Sequence, residues 1–182
     1  MTQDAARRRF AEAVMPQADQ AFRLAKWLTR NPHDAEDIVQ DAALRAFQAI
    51  GEFHGGNARA WFLTIVRRTA FTWLAKNRPK DLVFAEDLEQ AEQTHPGGEP
   101  AFGAEPSATP EQALLRRQRS DRIAAAVEAL PIRFRETIVL REMEDLSYRE
   151  IAEILDVPVG TVMSRLARGR ALLVADLAEE RR

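Results

Sequence analysis

Cysteine is absent from this 182-residue sequence, and histidine occurs only at His33, His54 and His95. A chain without cysteine has no disulfide, thiolate zinc site or thiol nucleophile, and three scattered histidines make a poor ligand set. Long apolar runs are also missing: no stretch approaches the roughly 18 residues of a membrane span, and the opening sequence MTQDAARRRFAEAV lacks the apolar core of a signal peptide. We therefore expect a cytoplasmic protein without membrane insertion.

Basic residues are missing from one part of the chain, residues 81–115, which has 8 acidic side chains and no lysine or arginine. Residues 1–80 contain 13 basic and 8 acidic side chains, and residues 116–182 contain 13 and 12. The middle part also holds 4 of the 9 prolines and 3 of the 8 glycines, as is typical of linkers. This predicts a first domain at 1–80, a flexible acidic linker at 81–111 and a second domain at 112–182.

The first part has apolar residues at helical spacing and no alternating strand pattern, which predicts an all-α fold. One helix is predicted from Asp19 to Thr29. Asn31 and Pro32 then provide an N-cap and a first helical residue for the next helix, and Asn57 can cap another. The predicted architecture is two small helical domains.

The second domain contains the pattern of a helix-turn-helix. Leu130 and Pro131 separate two helices, and Ser147 with Glu150 has the S-x-x-E spacing of a capping box. Pro158 is predicted as the first residue of the last helix. Small or apolar residues occupy the positions that hold such helices together, namely Ile151, Ala152, Val157, Val162 and Leu166.

The outward positions of this last helix suit the major groove of DNA. They are predicted to be Val159, Gly160, Thr161, Ser164, Arg165 and Arg168. Hydroxyl groups can bind phosphates, and guanidinium groups can bind guanine edges or phosphates. The alternative is that both arginines belong to the solvated face of a structural helix.

The segments DAEDIVQDAALRAF, NARAWFLTIVRRTAF and LPIRFRETIVLREMEDLSYREIAEILDVPVGTVMSRLARGRALL occur in this order. Together they resemble the extracytoplasmic-function sigma factors of the sigma-70 family. The resemblance implies a promoter-specificity subunit whose partners are core RNA polymerase, promoter DNA and an anti-sigma factor. We expect no catalytic residue, cofactor, metal or small-molecule substrate.

The resemblance also implies roles for individual residues. Polymerase binding is expected at Asp34, Asp37, Gln40, Asp41 and Arg45, which we call the acidic face. Recognition and melting of the minus 10 element are expected at Phe53, His54, Asn57, Arg67, Arg68, Trp73, Lys76 and Arg78, which we call the minus 10 set. Recognition of the minus 35 element falls to the outward residues of the last helix. The alternatives are a merely solvated acidic helix and aromatic residues that belong to the core.

Some residues depart from the family pattern. Arg68 and Thr72 stand where members often have Asn and Asp, and Met163 stands where they often have Lys, so no promoter sequence can be inferred. Two other functions remain open. A metal enzyme could use the carboxylates of the second helix, although an exposed helical face offers no dry cavity. A DNA-binding regulator would need only the second domain.

The acidic linker has two interpretations. It is either a solvated tether or a mimic of nucleic acid that is attracted to basic DNA-binding surfaces.

Overall fold

A computed structural model describes residues 2–83 and 110–179, and every regular element in these ranges is helical. The first half contains five α-helices and one short 3₁₀ turn. They are α1 (Gln3–Ala13), the 3₁₀ turn (Met15–Gln17), α2 (Ala18–Thr29), α3 (Pro32–Ala49), α4 (Ala58–Asn77) and α5 (Lys80–Val83). The all-α prediction is confirmed, whereas α1 and α5 were not predicted.

Polar caps explain where the helices of the first half begin. The side chain of Asn31 accepts hydrogen bonds from the backbone N–H groups of His33 and Asp34, at 2.9 and 3.3 Å. Pro32 follows as the first residue of α3, so the predicted cap is confirmed. Asn57 caps α4 in the same way, by accepting from the N–H of Ala60 at 3.0 Å.

The second half contains four α-helices and one π-helical turn. They are α6 (Pro110–Ala129), α7 (Ile132–Ile138), the π turn (Val139–Met143), α8 (Tyr148–Leu155) and α9 (Val159–Glu179). Both hydrogen bonds of the capping box between Ser147 and Glu150 are present. Asp156 ends α8 in the left-handed conformation, with φ of 57°. Helix α9 begins at Val159, so the prediction that Pro158 is its first residue was wrong by one position.

The π turn was also not predicted, because the sequence favours one helix through Met143. The N–H of Glu144 donates to the carbonyl of Val139, five residues earlier, at 3.1 Å. The wider turn rotates the following side chains by roughly 100° relative to an uninterrupted α-helix. As a result, Glu144 lies against the first half of the protein, where Arg23 contacts it.

The two halves pack against each other. Helix α4 contacts α8, and α2 contacts both α7 and the π turn. Most of the buried apolar side chains of both halves belong to a single cluster. Most of the predicted linker, residues 84–109, lies outside the described residues. Among the described helices, none has the length and apolar character required to cross a membrane.

Candidate polymerase and nucleic-acid interfaces

The acidic face on α3 is open to solvent at most of its positions. Asp37, Gln40 and Asp41 are exposed, and Arg45 donates to Asp41 at 3.0 Å. The exposed apolar side chain of Leu44 lies beside them on the same helix. These residues combine negative charge with an apolar contact, which suits a protein partner with a basic surface.

Asp34 is less exposed than these residues, so the prediction that it lies on an open face was wrong. Its carboxylate is half-buried and accepts a hydrogen bond from Arg78, the residue that follows α4, at 2.8 Å. Arg78 also donates to the carbonyl of Thr29 at 2.6 Å, and its guanidinium lies over the ring of Trp73. Arg78 therefore contacts two other members of the predicted binding sets, Asp34 and Trp73, and joins α3 to the end of α4.

The loop before α4 presents a short exposed segment. His54 is exposed. Gly55 and Gly56 have φ values of 100° and 98°, a backbone conformation that residues with a side chain rarely adopt. Phe53 is half-buried because its ring packs on Trp61, with the ring centroids 4.8 Å apart. This contact supports the loop but leaves less of the Phe53 ring available for stacking on a base.

Asn57 has two partners. Its side-chain oxygen caps α4, and its side-chain amide donates to the Oε1 of Glu150, in α8, at 2.9 Å. Hydrogen bonds from Ser147 are the main reason that the pKa of Glu150 is lowered, and the Asn57 contact lowers it further. Both polar ends of Asn57 are thus occupied in this arrangement.

The cations of α4 divide into two groups. Arg68 and Lys76 are exposed. Arg67 donates from Nε and Nη2 to the carboxylate oxygens of Glu136, in α7, at 2.7 and 3.0 Å, and its guanidinium lies over Phe71. Within the minus 10 set, sequence alone does not separate the cations on the open surface from those that hold the fold together.

The start of α9 is accessible, as the helix-turn-helix pattern predicts. Val159, Gly160 and Arg168 are exposed, and a side chain added at Gly160 would meet nothing within 4 Å. Thr161 and Ser164 are half-buried, and the hydroxyl of Ser164 donates to the carbonyl of Thr161 at 3.0 Å. A nucleic acid can approach the backbone closely at this helix end.

The prediction that Arg165 points outward was wrong, because only 5% of this residue is exposed. Val162, Arg165, Leu166 and Gly169 are all buried and follow the i, i+3, i+4, i+7 spacing of one helix face. The sequence already contained this signal, since Val162 and Leu166 were assigned to the core.

The sequence did not predict several polar residues that lie between the two halves. Glu136 and Glu144 are buried carboxylates with partners in the first half, whereas Arg135 is a buried cation. Arg135 donates to the carbonyls of Leu130 and Trp27. Burial lowers the pKa of Arg135 to about 10, so this group keeps its charge at neutral pH. Glutamate and arginine inside the apolar segment IRFRETIVL were the available signal.

A metal centre is not supported by the positions of the carboxylates. Within residues 2–83 and 110–179, no group of three or more His, Asp or Glu side chains is arranged to hold a metal ion.

Family models match both halves of the chain. The model described as Sigma-70 region 2 matches residues 14–80, and the model described as Sigma-70, region 4 matches residues 120–173. The first match contains the acidic face and the minus 10 set, and the second contains α8 and α9 as far as residue 173.

Similar proteins come from several bacteria. The chain is 32% identical to the ECF RNA polymerase sigma factor SigW of Bacillus subtilis, over 93% of this chain and 89% of that protein. It is 35% identical to the ECF RNA polymerase sigma-E factor of Escherichia coli K12, over 75% and 70%. It is 34% identical to SigE of Mycolicibacterium smegmatis, over 92% of this chain but only 61% of that protein.

Two solved structures have the same fold. One is the sigma factor RpoE from Bartonella quintana in complex with the anti-sigma factor NepR, with a TM-score of 0.64, 23% identity and coverage of 93% of this chain and 96% of that chain. The other is CnrH in complex with the cytosolic domain of CnrY, with a TM-score of 0.63, 24% identity and coverage of 95% and 90%. With both regions matched in order, the chain belongs to the extracytoplasmic-function group of the sigma-70 family of RNA polymerase sigma factors.

Proposed function

We propose that this protein joins core RNA polymerase through the acidic face of α3 and directs it to promoters through α4 and α9. The observation that carries this proposal is that one chain contains both an open acidic helix and a helix-turn-helix with an accessible α9. A DNA-binding regulator that never joins polymerase needs only the second. The chemistry of RNA synthesis belongs to the polymerase, so we assign no catalytic residue to this chain.

Asp37, Gln40 and Asp41 form the centre of the proposed polymerase contact, with Arg45 and Leu44 beside them. The carboxylates of Asp37 and Asp41 lie on α3, which is capped by Asn31, so they are held in place before binding. Charge complementarity with a basic partner would favour both the rate and the specificity of association. Asp34 supports this face by holding Arg78.

The minus 10 element is assigned to the loop after α3 and to α4. His54, Arg68 and Lys76 are exposed and can reach nucleic acid directly. Phe53 and Trp73 offer partly exposed rings for base stacking, which is the usual way to hold unpaired bases beside cations. Asn57 and Arg67, which also belong to this set, donate hydrogen bonds to Glu150 and Glu136 of the second half.

The minus 35 element is assigned to the accessible residues at the start of α9. Val159 and Gly160 allow close approach of the backbone, Thr161 and Ser164 provide hydroxyls, and Arg168 provides an exposed guanidinium. Arg165 is left out of this contact set because it is buried, and its proposed role is to hold α9 in place.

We also propose an anti-sigma factor as an inhibitory partner, because the similar sigma factor RpoE of Bartonella quintana was solved with the anti-sigma factor NepR bound. The place of action that follows from polymerase binding is the cytoplasm.

Co-elution with bacterial core RNA polymerase, followed by transcription from genomic fragments, tests the proposal. We expect a stable complex and new transcripts that require this protein. The matched control is the full chain with Asp37→Lys and Asp41→Lys, which keeps the helix-turn-helix and both halves but reverses the acidic face, and it should not co-elute. Tight binding of the whole protein to duplex DNA without any binding to core polymerase would contradict the proposal and favour an ordinary regulator.

A further inference from the structure

Two apolar side chains are exposed near the start of α9, the helix that is proposed to bind the minus 35 element. Val159 is 38% exposed and Met163 is 55% exposed. They are four residues apart, so they are neighbours on the surface of the helix. Val162 and Leu166 face the other way and are buried. Val159 and Met163 therefore take no part in the core, and we call them the apolar pair.

The apolar pair lies beside the polar residues of the proposed minus 35 contact. With 3.6 residues per turn, Gly160 and Ser164 lie opposite the buried side of α9, Met163 lies on one flank of them and Arg168 on the other. A side chain added at Gly160 would meet nothing within 4 Å, so another molecule can approach the backbone at this point. A duplex that contacts Gly160 and Arg168 would therefore also meet Met163.

The polar groups on this side of α9 offer few hydrogen bonds to bases. The hydroxyl of Ser164 already donates to the carbonyl of Thr161 at 3.0 Å. Arg165 is buried, which leaves Arg168 as the exposed guanidinium among the residues predicted to bind the minus 35 element. Apolar contact is therefore a large part of what this helix end can offer to a base pair.

Thymine is the base that suits such a contact. In the major groove it presents a methyl group, whereas the minor groove presents none. Methionine is unbranched and polarisable, so it adapts to the shape of an apolar partner, and valine is stiff because it branches at Cβ. An exposed Val–Met pair on a major-groove helix therefore fits the methyl group of a thymine.

We propose that Val159 and Met163 select thymine at the minus 35 element by packing on its methyl group, with Met163 as the main contact. This inference rests on the proposed function, because it names a base that α9 selects. Where family members often have Lys, which suits a phosphate, this chain has Met163, which suits a base. The expected consequence is at least one preferred thymine in the duplex that α9 binds.

Selection from random DNA tests for this preference. The probe is a pool of duplexes with a random central segment, presented in parallel to the free full-length protein and to its complex with core polymerase. We expect the enriched duplexes to share a thymine at one or more fixed positions. Enrichment of a shared sequence that has no fixed thymine would overturn the proposal.

Deoxyuridine then identifies the methyl group as the feature that is recognised. In an enriched duplex, replacing each shared thymine by deoxyuridine removes the methyl group and keeps the O4 acceptor and the base pair. Burial of one methyl group contributes about 0.8 kcal/mol, which corresponds to about four-fold in affinity. We expect this loss at the thymine that meets the apolar pair, and an equal affinity for thymine and deoxyuridine at every position would overturn the proposal.

Met163→Gln connects the methyl group to the protein. It keeps the length of the side chain and makes its end polar. Met15→Gln is the matched control, because Met15 is 59% exposed, lies in the 3₁₀ turn before α2 and belongs to none of the proposed binding sets. We expect Met15→Gln to keep the four-fold preference for thymine over deoxyuridine and Met163→Gln to lose it. The same preference in both folded variants would overturn the role of Met163.

Val159→Thr is the second variant, in case Met163→Gln does not fold. It keeps the shape of the side chain and adds a hydroxyl. Val174→Thr makes the same change at an exposed position near the other end of α9 and is its control. We expect Val159→Thr to reduce the preference to about two-fold and Val174→Thr to leave it at about four-fold. A preference that is identical in these two variants would remove Val159 from the contact.

The two selections separate this inference from the proposed function. Binding by the free protein requires no polymerase, so a failure to join polymerase would refute the proposed function and leave the thymine test in place. Normal polymerase binding and transcription without a thymine preference would overturn this inference alone. A selection that enriches no shared sequence with either form of the protein would overturn both.

Discussion

Helices α3 and α4 belong to the same half of the protein and both carry charged residues for a proposed partner, yet their surfaces differ in access. Asp37 and Asp41 of α3 face solvent, whereas Arg67 of α4 is paired with Glu136 of the second half. The proposed polymerase contact is therefore open in this structure, whereas part of the proposed minus 10 set takes part in the contact between the two halves.

Charge reversal on α3 should give the largest effect. We expect Asp37→Lys with Asp41→Lys to abolish binding to core polymerase, because it replaces attraction to a basic surface by repulsion. The free energy of unfolding should change by less than about 1 kcal/mol, since exposed ion pairs contribute little. Co-elution and thermal unfolding measure the two quantities.

Glu36→Lys with Glu52→Lys is the control for this prediction. Both residues are exposed acids outside the acidic face, and the change in net charge is the same. Polymerase binding that is lost equally in both double variants would mean that net charge, and not this face, decides the interaction.

Arg67 and Arg68, which are neighbours in α4, test whether the contact with the second half stabilises the protein. Arg67→Ala leaves the buried Glu136 without its partner, so we expect a loss of about 3 kcal/mol from the free energy of unfolding. Arg68→Ala is the matched control, because Arg68 is exposed, and its unfolding should be nearly unchanged. Denaturant titration of both variants makes the comparison, and equal stabilities would contradict the pairing of Arg67 with the buried Glu136.

Helix α9 also contains one buried and one exposed arginine, Arg165 and Arg168. Arg168→Ala should weaken promoter binding by about 1 to 3 kcal/mol if the guanidinium contacts a base, and it should leave stability unchanged. Arg165→Ala should instead lower stability, by about 1 to 3 kcal/mol, because Arg165 is buried. Binding measured beside thermal unfolding separates the two, and the reverse pattern would show that α9 is rotated from its present position.

Glu150 offers a smaller test at the edge of the contact. Glu150→Gln should cost about 0.5 to 1 kcal/mol through the weakened capping box, whereas Glu153→Gln, at an exposed position of the same helix, should cost almost nothing. The lowered pKa of Glu150 also predicts a pH effect. Its contribution is complete above the ordinary glutamate pKa of about 4.3 and is lost as the pH falls through the lowered value.

The free energy of unfolding, measured from neutral to acidic pH, tests this pH effect. Wild type and Glu153→Gln should lose the contribution on acidification, and Glu150→Gln should not, because it has no carboxylate at this position. A pH dependence that is identical in all three proteins would contradict the assignment.

The acidic linker gives the smallest expected effect. Neutralising Glu86, Asp87, Glu89 and Glu92 to Gln keeps the length of the segment and removes four charges. If the segment mimics nucleic acid, free protein should bind DNA modestly more tightly, by about two- to three-fold, and a plain tether would cause no change. A salt titration of the affinity, with transcription assayed beside it, decides between the two.

Local sequence signals predicted much of the fold because they act within a few residues. The caps at Asn31 and Asn57 and the capping box at Ser147 are confirmed by the hydrogen bonds that they make. The π turn was not predicted because the sequence there favours an ordinary α-helix. The hydrogen bond from the N–H of Glu144 to the carbonyl of Val139, five residues earlier, is known only from the structure.

The sequence by itself determined the helical fold, the order of the two regions and the family, because helix periodicity, caps and motif spacing are local properties. Only the tertiary structure decided which charged side chains are exposed to solvent. Arg165 and Arg168 are three residues apart and look equivalent in the sequence, yet one is buried and the other exposed. Likewise, Arg67 is paired and Arg68 is exposed, because the fold brings Glu136, which is 69 residues away along the chain, beside Arg67. Burial and ion pairing depend on such distant neighbours, and only the packing of the two halves selects them.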